Sequence, residues 1–176
     1  DRYLTFSVEI RRKRHEEFSM LGGFFKHFEL NIVASEERDM VRVRTNCRDE
    51  DAYLYRTRIS PEKGRKLLLG FVEAANRLAA EPRFYHTLKA NCTTIVFAFA
   101  KRIYPELPLD YRLLLSGYLD EYVFSRGGLQ QGYSLAELRM RGRITDKARE
   151  AADTADFSRK IRQGVPGCDT APSQTL

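Results

Sequence analysis

Strand-like patterns occupy the first third of the 176-residue chain, and helical patterns occupy most of the rest. Residues 3–10 alternate Leu4, Phe6, Val8 and Ile10 with polar residues, which predicts a half-buried strand. Further strands are predicted at residues 29–34, 40–44 and 51–59. Because the strands precede the helices instead of alternating with them, this order favours an α+β fold with a small sheet and C-terminal helices.

The helix signals begin at Ser60, where a capping serine precedes Pro61 at the first helical position. This helix is predicted to end near Glu81, just before a proline. A second helix is predicted over residues 91–103, and its almost wholly apolar sequence places it in the middle of the core. Other helical pieces are predicted at residues 18–28 (a short helix or turn), 111–124, 134–141 and 146–163.

The composition suits one domain over residues 1–167, followed by a flexible tail at residues 168–176. Apolar residues make up 43% of the chain and charged residues 31%, so the chain can bury a core. No apolar run approaches the roughly 20 residues of a membrane span. The chain opens on Asp1, with neither an initiator Met nor an apolar leader, so we expect it to be a fragment that has lost its start.

The net charge of +6 is concentrated in one stretch. Residues 139–162 contain eight basic and four acidic side chains, which leaves four positive charges there. Such a stretch attracts anionic lipid headgroups or nucleic acid, although a solvated helical face is the commoner explanation. No base-reading motif accompanies it, so no nucleic-acid partner is expected.

Three oddly spaced cysteines exclude a disulfide-rich scaffold and a four-cysteine zinc site, and we expect neither a metal nor a cofactor. Cys92 differs from the other two because it lies at the predicted start of the most apolar helix. The unpaired N–H groups and the dipole of a first helical turn favour a thiolate, and the same N–H groups stabilise an oxyanion. The alternative is a buried structural cysteine.

A cysteine nucleophile needs a base, usually a histidine. The chain contains His15, His27 and His86, and His86 is the nearest in sequence, six residues before Cys92. His27 lies in a Phe-rich segment and His15 in a run of charges, which favour a packed ring and a solvated ring respectively. None of the three is compelling on spacing alone.

Residues 84–94, Phe-Tyr-His-Thr-Leu-Lys-Ala-Asn-Cys-Thr-Thr, resemble the signature of a bacterial family named after the N-terminal periplasmic domain of Lnb, a lipoprotein N-acylation transferase. The family pattern is an aromatic pair, a short loop and Asn-Cys-Thr-Thr at the start of a helix. Similar landmarks follow in the family's order across residues 3–167. They are Ser7–Arg11, Phe24–Leu30, Glu37–Asp39, Arg44–Asn46, Arg48, Tyr53–Tyr55, Leu107–Asp110 and Phe157–Arg162.

The resemblance implies a permuted papain-like or NlpC-like thiol hydrolase fold, with a small antiparallel sheet packed on a central cysteine-bearing helix. It implies a periplasmic protein tethered to the inner membrane through a missing N-terminal segment, close to an anionic membrane surface. Cys92 would act as the nucleophile of an acyltransferase or hydrolase and form a thioester with a lipoprotein or phospholipid acyl group. Asn91 and Thr93 would orient it, and the Thr93 N–H is a candidate oxyanion donor. The alternatives are a non-enzymatic envelope binding module of the same fold and a cysteine amidase or peptidase.

The chain departs from the family pattern at two points. The family carries a histidine on a strand upstream of the Ser-x-Glu-x-Arg motif, and we expect that histidine, before Asp1, to be the base. The position of His86 is more often Asn in the family, so His86 does not inherit the role of the base from the resemblance. Either half of the catalytic pair is missing here, or the protein uses a local substitute. Cys47 is not a family landmark, and in an oxidising periplasm it could pair with Cys168.

Overall fold

A computed structural model gives the structure of the chain and describes residues 3–11, 29–84, 92–113 and 116–168. Two strands, β1 (Leu4–Arg11) and β2 (Glu29–Glu36), pair in a small antiparallel sheet. Both strands occur where the alternation predicts them. Together with the helices that follow, the sheet confirms the α+β class.

The α-helices of the described residues follow the sheet along the chain. They are α1 (Glu37–Arg42), α2 (Pro61–Ala80), α3 (Cys92–Ile103), α4 (Leu119–Ser125), α5 (Leu135–Gly142), α6 (Thr145–Glu150) and α7 (Phe157–Arg162). One π-helical turn (Val43–Cys47) and two 3₁₀ turns (Tyr111–Leu113 and Ser116–Tyr118) complete the helical structure of these residues. The helix or turn predicted at residues 18–28 lies outside the described residues.

The strand predicted at residues 40–44 is wrong, because this segment is helical. α1 begins at Glu37, and its first turn contains two acidic side chains, which complement the positive end of the helix dipole. The Thr45 hydroxyl donates a hydrogen bond to the Val41 carbonyl, 3.0 Å away, within the helical turns that follow α1. An alternation of only two valines is too short to outweigh these local helix signals.

The strand predicted at residues 51–59 is also wrong. The segment makes only isolated antiparallel bridges among the described residues, Tyr53 with Arg143 and Thr57 with Leu129. The Leu54 N–H donates to the carbonyl of Gly142 at 2.8 Å, in the last turn of α5. The backbone of this segment therefore bonds to a helix end and to loops, and no partner strand extends the pairing into a ladder.

α2 begins and ends where the sequence predicts. The Ser60 hydroxyl accepts a hydrogen bond from the Lys63 N–H at 3.3 Å, and Pro61 is the first helical residue. α5 begins in the same way, since the Ser134 hydroxyl and the Glu137 carboxylate form a reciprocal capping box. That contact lowers the pKa of Glu137, chiefly through the hydrogen bond from the Ser134 side chain.

Gly64→Ala is expected to raise the free energy of unfolding by about 0.5–1 kcal/mol, because glycine inside a helix is less favourable than alanine by roughly that amount. A Cβ atom at Gly64 meets no described atom within 4 Å. Urea unfolding followed by circular dichroism measures the change. Gly128→Ala is the matched control and should destabilise, since its Cβ would lie 2.8 Å from Val123 Cγ1. A lower unfolding midpoint for Gly64→Ala would contradict the expectation.

Two of the helices predicted from the sequence are interrupted. The described residues of the range 111–124 form two 3₁₀ turns and α4, and the Asp110 carboxylate starts the first turn by accepting from the Arg112 N–H at 2.9 Å. Residues 146–163 divide into α6 and α7. The Thr154 hydroxyl donates to the Ala151 carbonyl at 2.8 Å in the connecting turns, which satisfies a carbonyl that a continuous helix would use.

The chain forms two compact units. The first unit comprises Asp1–Thr5, Ser35–Arg58 and Val123–Leu176, and the second comprises Phe6–Ala34 and Ile59–Tyr122. The core of the first unit is built by α6, α7 and the turn after them, with Ile144, Ala148, Ala151, Phe157, Ile161 and Val165 buried. The core of the second unit includes the buried residues Phe71, Phe97, Phe99, Leu113 and Tyr122. The single domain over residues 1–167 stays a prediction, and residues 169–176 lie outside the described residues.

Candidate functional site

α3 begins at Cys92, as the sequence predicts. The first N–H groups of a helix have no partner within it, and the dipole places partial positive charge there. Thr93, the next residue, is only 3% exposed, so the first turn is anchored in the second unit. The start of α3 therefore supplies the electrostatic environment that favours a thiolate.

The other predicted catalytic residues are described only in part. Asn91 and His86 lie outside the described residues, as does the side chain of Cys92. The roles predicted for Cys92, Asn91, Thr93 and His86 therefore stay predictions. The position of α3, by contrast, is defined by residues that the structure describes.

Aromatic contacts fix α3 within the second unit. The Phe99 ring meets Phe71 of α2 edge to face, with the ring centroids 4.8 Å apart. Phe71 in turn stacks on Phe6 of β1 at 5.2 Å. Phe97 meets the Tyr122 ring edge to face at 6.0 Å. Each such pair contributes about 0.5–1.5 kcal/mol beyond the burial of its apolar area, so the helix that begins at Cys92 is held at several points.

The sequence predicts that α3 lies in the middle of the core, and the structure confirms this for one side of the helix. Thr93, Phe97 and Phe99 are buried. Ala98, Lys101 and Arg102 are exposed among the described residues. The nearly continuous apolar sequence of α3 does not reveal this exposed side, because an alanine counts as apolar whether it is buried or exposed.

A half-buried ion pair supports the segment that follows α3. The Arg112 guanidinium donates to both oxygens of Asp110, at 2.9 and 2.7 Å, and a third hydrogen bond reaches the Glu121 carbonyl at 3.3 Å. The bond to Asp110 raises the pKa of Arg112. The Tyr122 hydroxyl donates to the Pro108 carbonyl at 2.9 Å. These contacts order the chain beside Tyr122, which packs on Phe97 of α3.

The first unit contains a bidentate ion pair that the sequence does not predict. Glu37 of α1 and Arg162 of α7 join through two contacts of 2.7 Å, and the Tyr3 ring lies 3.9 Å from the guanidinium carbon. Burial is the largest single effect and lowers the pKa of Arg162, but the hydrogen bond to Glu37 and the charge of that carboxylate, with smaller contributions from Tyr3 and Cys168, together raise it. A single sequence gives no signal that two residues 125 positions apart pair.

A second polar cluster of the first unit is mostly exposed. Asp51 accepts hydrogen bonds from Arg143 at 2.9 Å and from the Thr145 hydroxyl at 2.8 Å. The Arg143 bond, and then the Thr145 bond, lowers the pKa of Asp51. The Thr145 hydroxyl also accepts from the Ala52 N–H at 3.0 Å. This cluster fixes residues 51–52 against the start of α6.

The sequence leaves open whether Cys47 pairs with Cys168. Both residues are described, and the structure does not join them in a disulfide. Cys47 is exposed at the end of the π-helical turn. An exposed cysteine remote in sequence from Cys92 is therefore an internal reference for thiol reactivity.

A family model described as the Lnb N-terminal periplasmic domain matches residues 1–117. The match covers well over half of the chain and includes β1, β2, α2 and the start of α3 at Cys92. The chain belongs to this family. Comparisons with curated proteins and with solved structures give no match.

Membership of the Lnb N-terminal domain family confirms the resemblance over residues 1–117 and supports a periplasmic location and a role in the cell envelope. The later landmarks, such as Phe157–Arg162, lie outside the matched region. Within the described residues no helix is both long and apolar enough to cross a bilayer. The same residues contain no cluster of His, Cys, Asp or Glu side chains that could hold a metal ion.

Proposed function

We propose that this chain is a thiol-dependent acyltransferase or hydrolase domain of the cell envelope with Cys92 as its nucleophile. The observation that carries the proposal is the start of α3 at Cys92, inside the region that matches the Lnb N-terminal domain family. A helix N-terminus favours the thiolate, and the family's named member is a lipoprotein N-acylation transferase.

In the proposed reaction the Cys92 thiolate attacks the carbonyl carbon of an ester, and a C–S bond forms. The N–H groups of the first turn, with that of Thr93 as the candidate donor, stabilise the oxyanion. The C–O bond then breaks, and the leaving alkoxide takes a proton from the base, which leaves a thioester. An amine or water attacks the thioester while the base accepts its proton, and the C–S bond breaks to restore the thiolate.

The base is a histidine, either His86 or one on the strand expected upstream of Asp1. Asn91 orients the turn that carries the nucleophile. The substrate is the acyl group of a lipoprotein or phospholipid, and the domain works near an anionic membrane surface to which an N-terminal segment tethers it. The net charge of +6 supports such a location. The α+β class and the helix that begins at a cysteine support a permuted papain-like or NlpC-like fold.

Alkylation by iodoacetamide near pH 6 is expected to modify Cys92 at least tenfold faster than Cys47, because only a thiolate reacts and the start of α3 favours that form. Peptide mass spectrometry at timed intervals measures the two rates in one sample. Cys47 is the control because it is exposed and has no helix N-terminus. Equal rates in the folded protein would overturn the proposal, whereas equal rates after denaturation in urea are expected.

A further inference from the structure

A cavity of about 190 Å³ lies in the second unit, bounded by β2, α2, α3 and the residues after α2. Pockets that enclose a drug-sized ligand measure about 300–1,000 Å³, so this cavity fits only part of a larger molecule. Apolar side chains from three elements form its lining. They include Leu30 and Ile32 of β2, Leu78 of α2, and Ile95 and Phe99 of α3.

Three arginines line the same cavity: Arg77 of α2, Arg102 of α3 and Arg83. Glu73 is the sole acidic residue among the described lining residues, so three positive charges and one negative charge leave a net charge of two. Arg77 and Arg102 lie in the last turns of their helices, where a cation complements the dipole. Arg83 lies beyond α2, so the helix dipole does not account for its place at the cavity.

Hydrogen bonding along β2 holds the third arginine in position. The Arg83 carbonyl accepts from the Leu30 N–H at 2.7 Å, and Glu29 forms an antiparallel bridge with Phe84. The arginine and the apolar lining from β2 are thus fixed to each other through the backbone. A cavity that combines an apolar lining with three arginines suits a ligand with an apolar chain and an anionic head.

We infer that this cavity binds an anionic phospholipid, with a segment of one acyl chain on the apolar lining and the phosphate beside Arg77, Arg83 and Arg102. The charge is complementary to a phosphate, and guanidinium groups bind phosphate in a bidentate manner. The small volume suits a lipid of which most remains in the membrane. The site requires no reaction at Cys92, so it extends beyond the proposed thioester chemistry.

The full chain should bind vesicles of phosphatidylcholine mixed with ether-linked phosphatidylglycerol, and bind pure phosphatidylcholine vesicles far more weakly. Ether-linked chains have no carbonyl for a thiolate to attack, so binding is measured independently of the proposed reaction. The triple variant Arg77→Gln/Arg83→Gln/Arg102→Gln should bind about 100-fold more weakly, since each arginine beside an anionic surface raises the binding constant roughly fivefold. Co-sedimentation at fixed ionic strength measures the affinity.

A matched triple variant separates the cavity from the general charge of the protein. Arg48, Arg58 and Arg65 are exposed arginines that do not line the cavity. Arg48→Gln/Arg58→Gln/Arg65→Gln loses the same charge and should weaken binding less than threefold. An equal loss in the two triple variants would overturn the inference, because the attraction would then be nonspecific.

Filling the apolar part of the cavity tests the acyl chain separately. Ala98 of α3 is exposed and lines the cavity, so Ala98→Trp should occupy it without disturbing the core. Binding of monomeric, ether-linked dihexyl-phosphatidylglycerol, followed by NMR titration, should fall at least tenfold. Ala79→Trp, at an exposed α2 residue outside the lining, is the control and should bind as the unmodified chain does. Unchanged binding by Ala98→Trp would show that no chain enters the cavity and would overturn the inference.

Discussion

Glu37→Leu is expected to lower the free energy of unfolding by about 3 kcal/mol, because it leaves the Arg162 guanidinium in a largely buried position without its carboxylate. The side chains of Glu37 and Arg162 are only 10% and 18% exposed, so water screens neither charge well. The guanidinium would keep its hydrogen bond to the Ser158 carbonyl at 2.8 Å and its contact with the Tyr3 ring. Those contacts compensate for part of the lost carboxylate, which places the expected cost at the lower end of the range for a broken buried pair. Urea unfolding measures it.

The double variant Glu37→Leu/Arg162→Met shows whether the loss of stability comes from an unpaired buried charge or from a general loss of packing. Replacement of both partners of a buried pair by apolar side chains is often close to neutral, so the double variant should recover most of the stability that Glu37→Leu loses. Asp153→Ala removes one partner of the exposed Arg42–Asp153 pair and should leave the unfolding midpoint almost unchanged. A double variant as unstable as the sum of its two single variants would contradict this account.

Local signals explain which elements the sequence predicts correctly. Ser60 and Ser134 each cap a helix through a hydrogen bond that spans three residues, so the starts of α2 and α5 depend on neighbouring side chains alone. The start of α3 at Cys92 is predicted for a similar reason, since the apolar sequence begins there. One half of the candidate site, the helix N-terminus, can therefore be inferred from the sequence.

Long-range contacts explain the failures. The alternation at residues 51–59 meets the local requirement of a strand, but a strand also needs a partner, and the bonding partners here are the end of α5 and loops. The valine alternation at residues 40–44 likewise says nothing about the helix that begins at Glu37. The pairing of Glu37 with Arg162 depends on the packing of α1 and α7, which no spacing in the chain encodes.

Cys92→Ala is expected to abolish formation of a covalent acyl-protein and to lower turnover of an activated ester by on the order of 1,000-fold or more, because removal of a nucleophile leaves only binding and oxyanion stabilisation. Incubation with p-nitrophenyl butyrate should add one butyryl group to the unmodified chain, and intact-mass spectrometry detects it. Hydroxylamine at neutral pH should release the group, since a thioester is cleaved there and an oxyester or amide is far more resistant. The released p-nitrophenolate measures turnover.

Cys47→Ala is the matched control, because it removes an exposed thiol and should retain both the butyryl adduct and the turnover of the unmodified chain. Circular dichroism shows whether each variant keeps the helical content of the unmodified chain, as expected because the Phe71–Phe99 contact holds α3 without involving Cys92. If Cys92→Ala folds and still turns over the ester at the original rate, Cys92 is not the nucleophile and the proposal fails. If the unmodified chain neither forms the adduct nor turns over the ester, the chain is better explained as a non-enzymatic envelope module. If the adduct forms on Cys92 but its release is slow, the thiol is the nucleophile and deacylation is the step that requires the proposed histidine base.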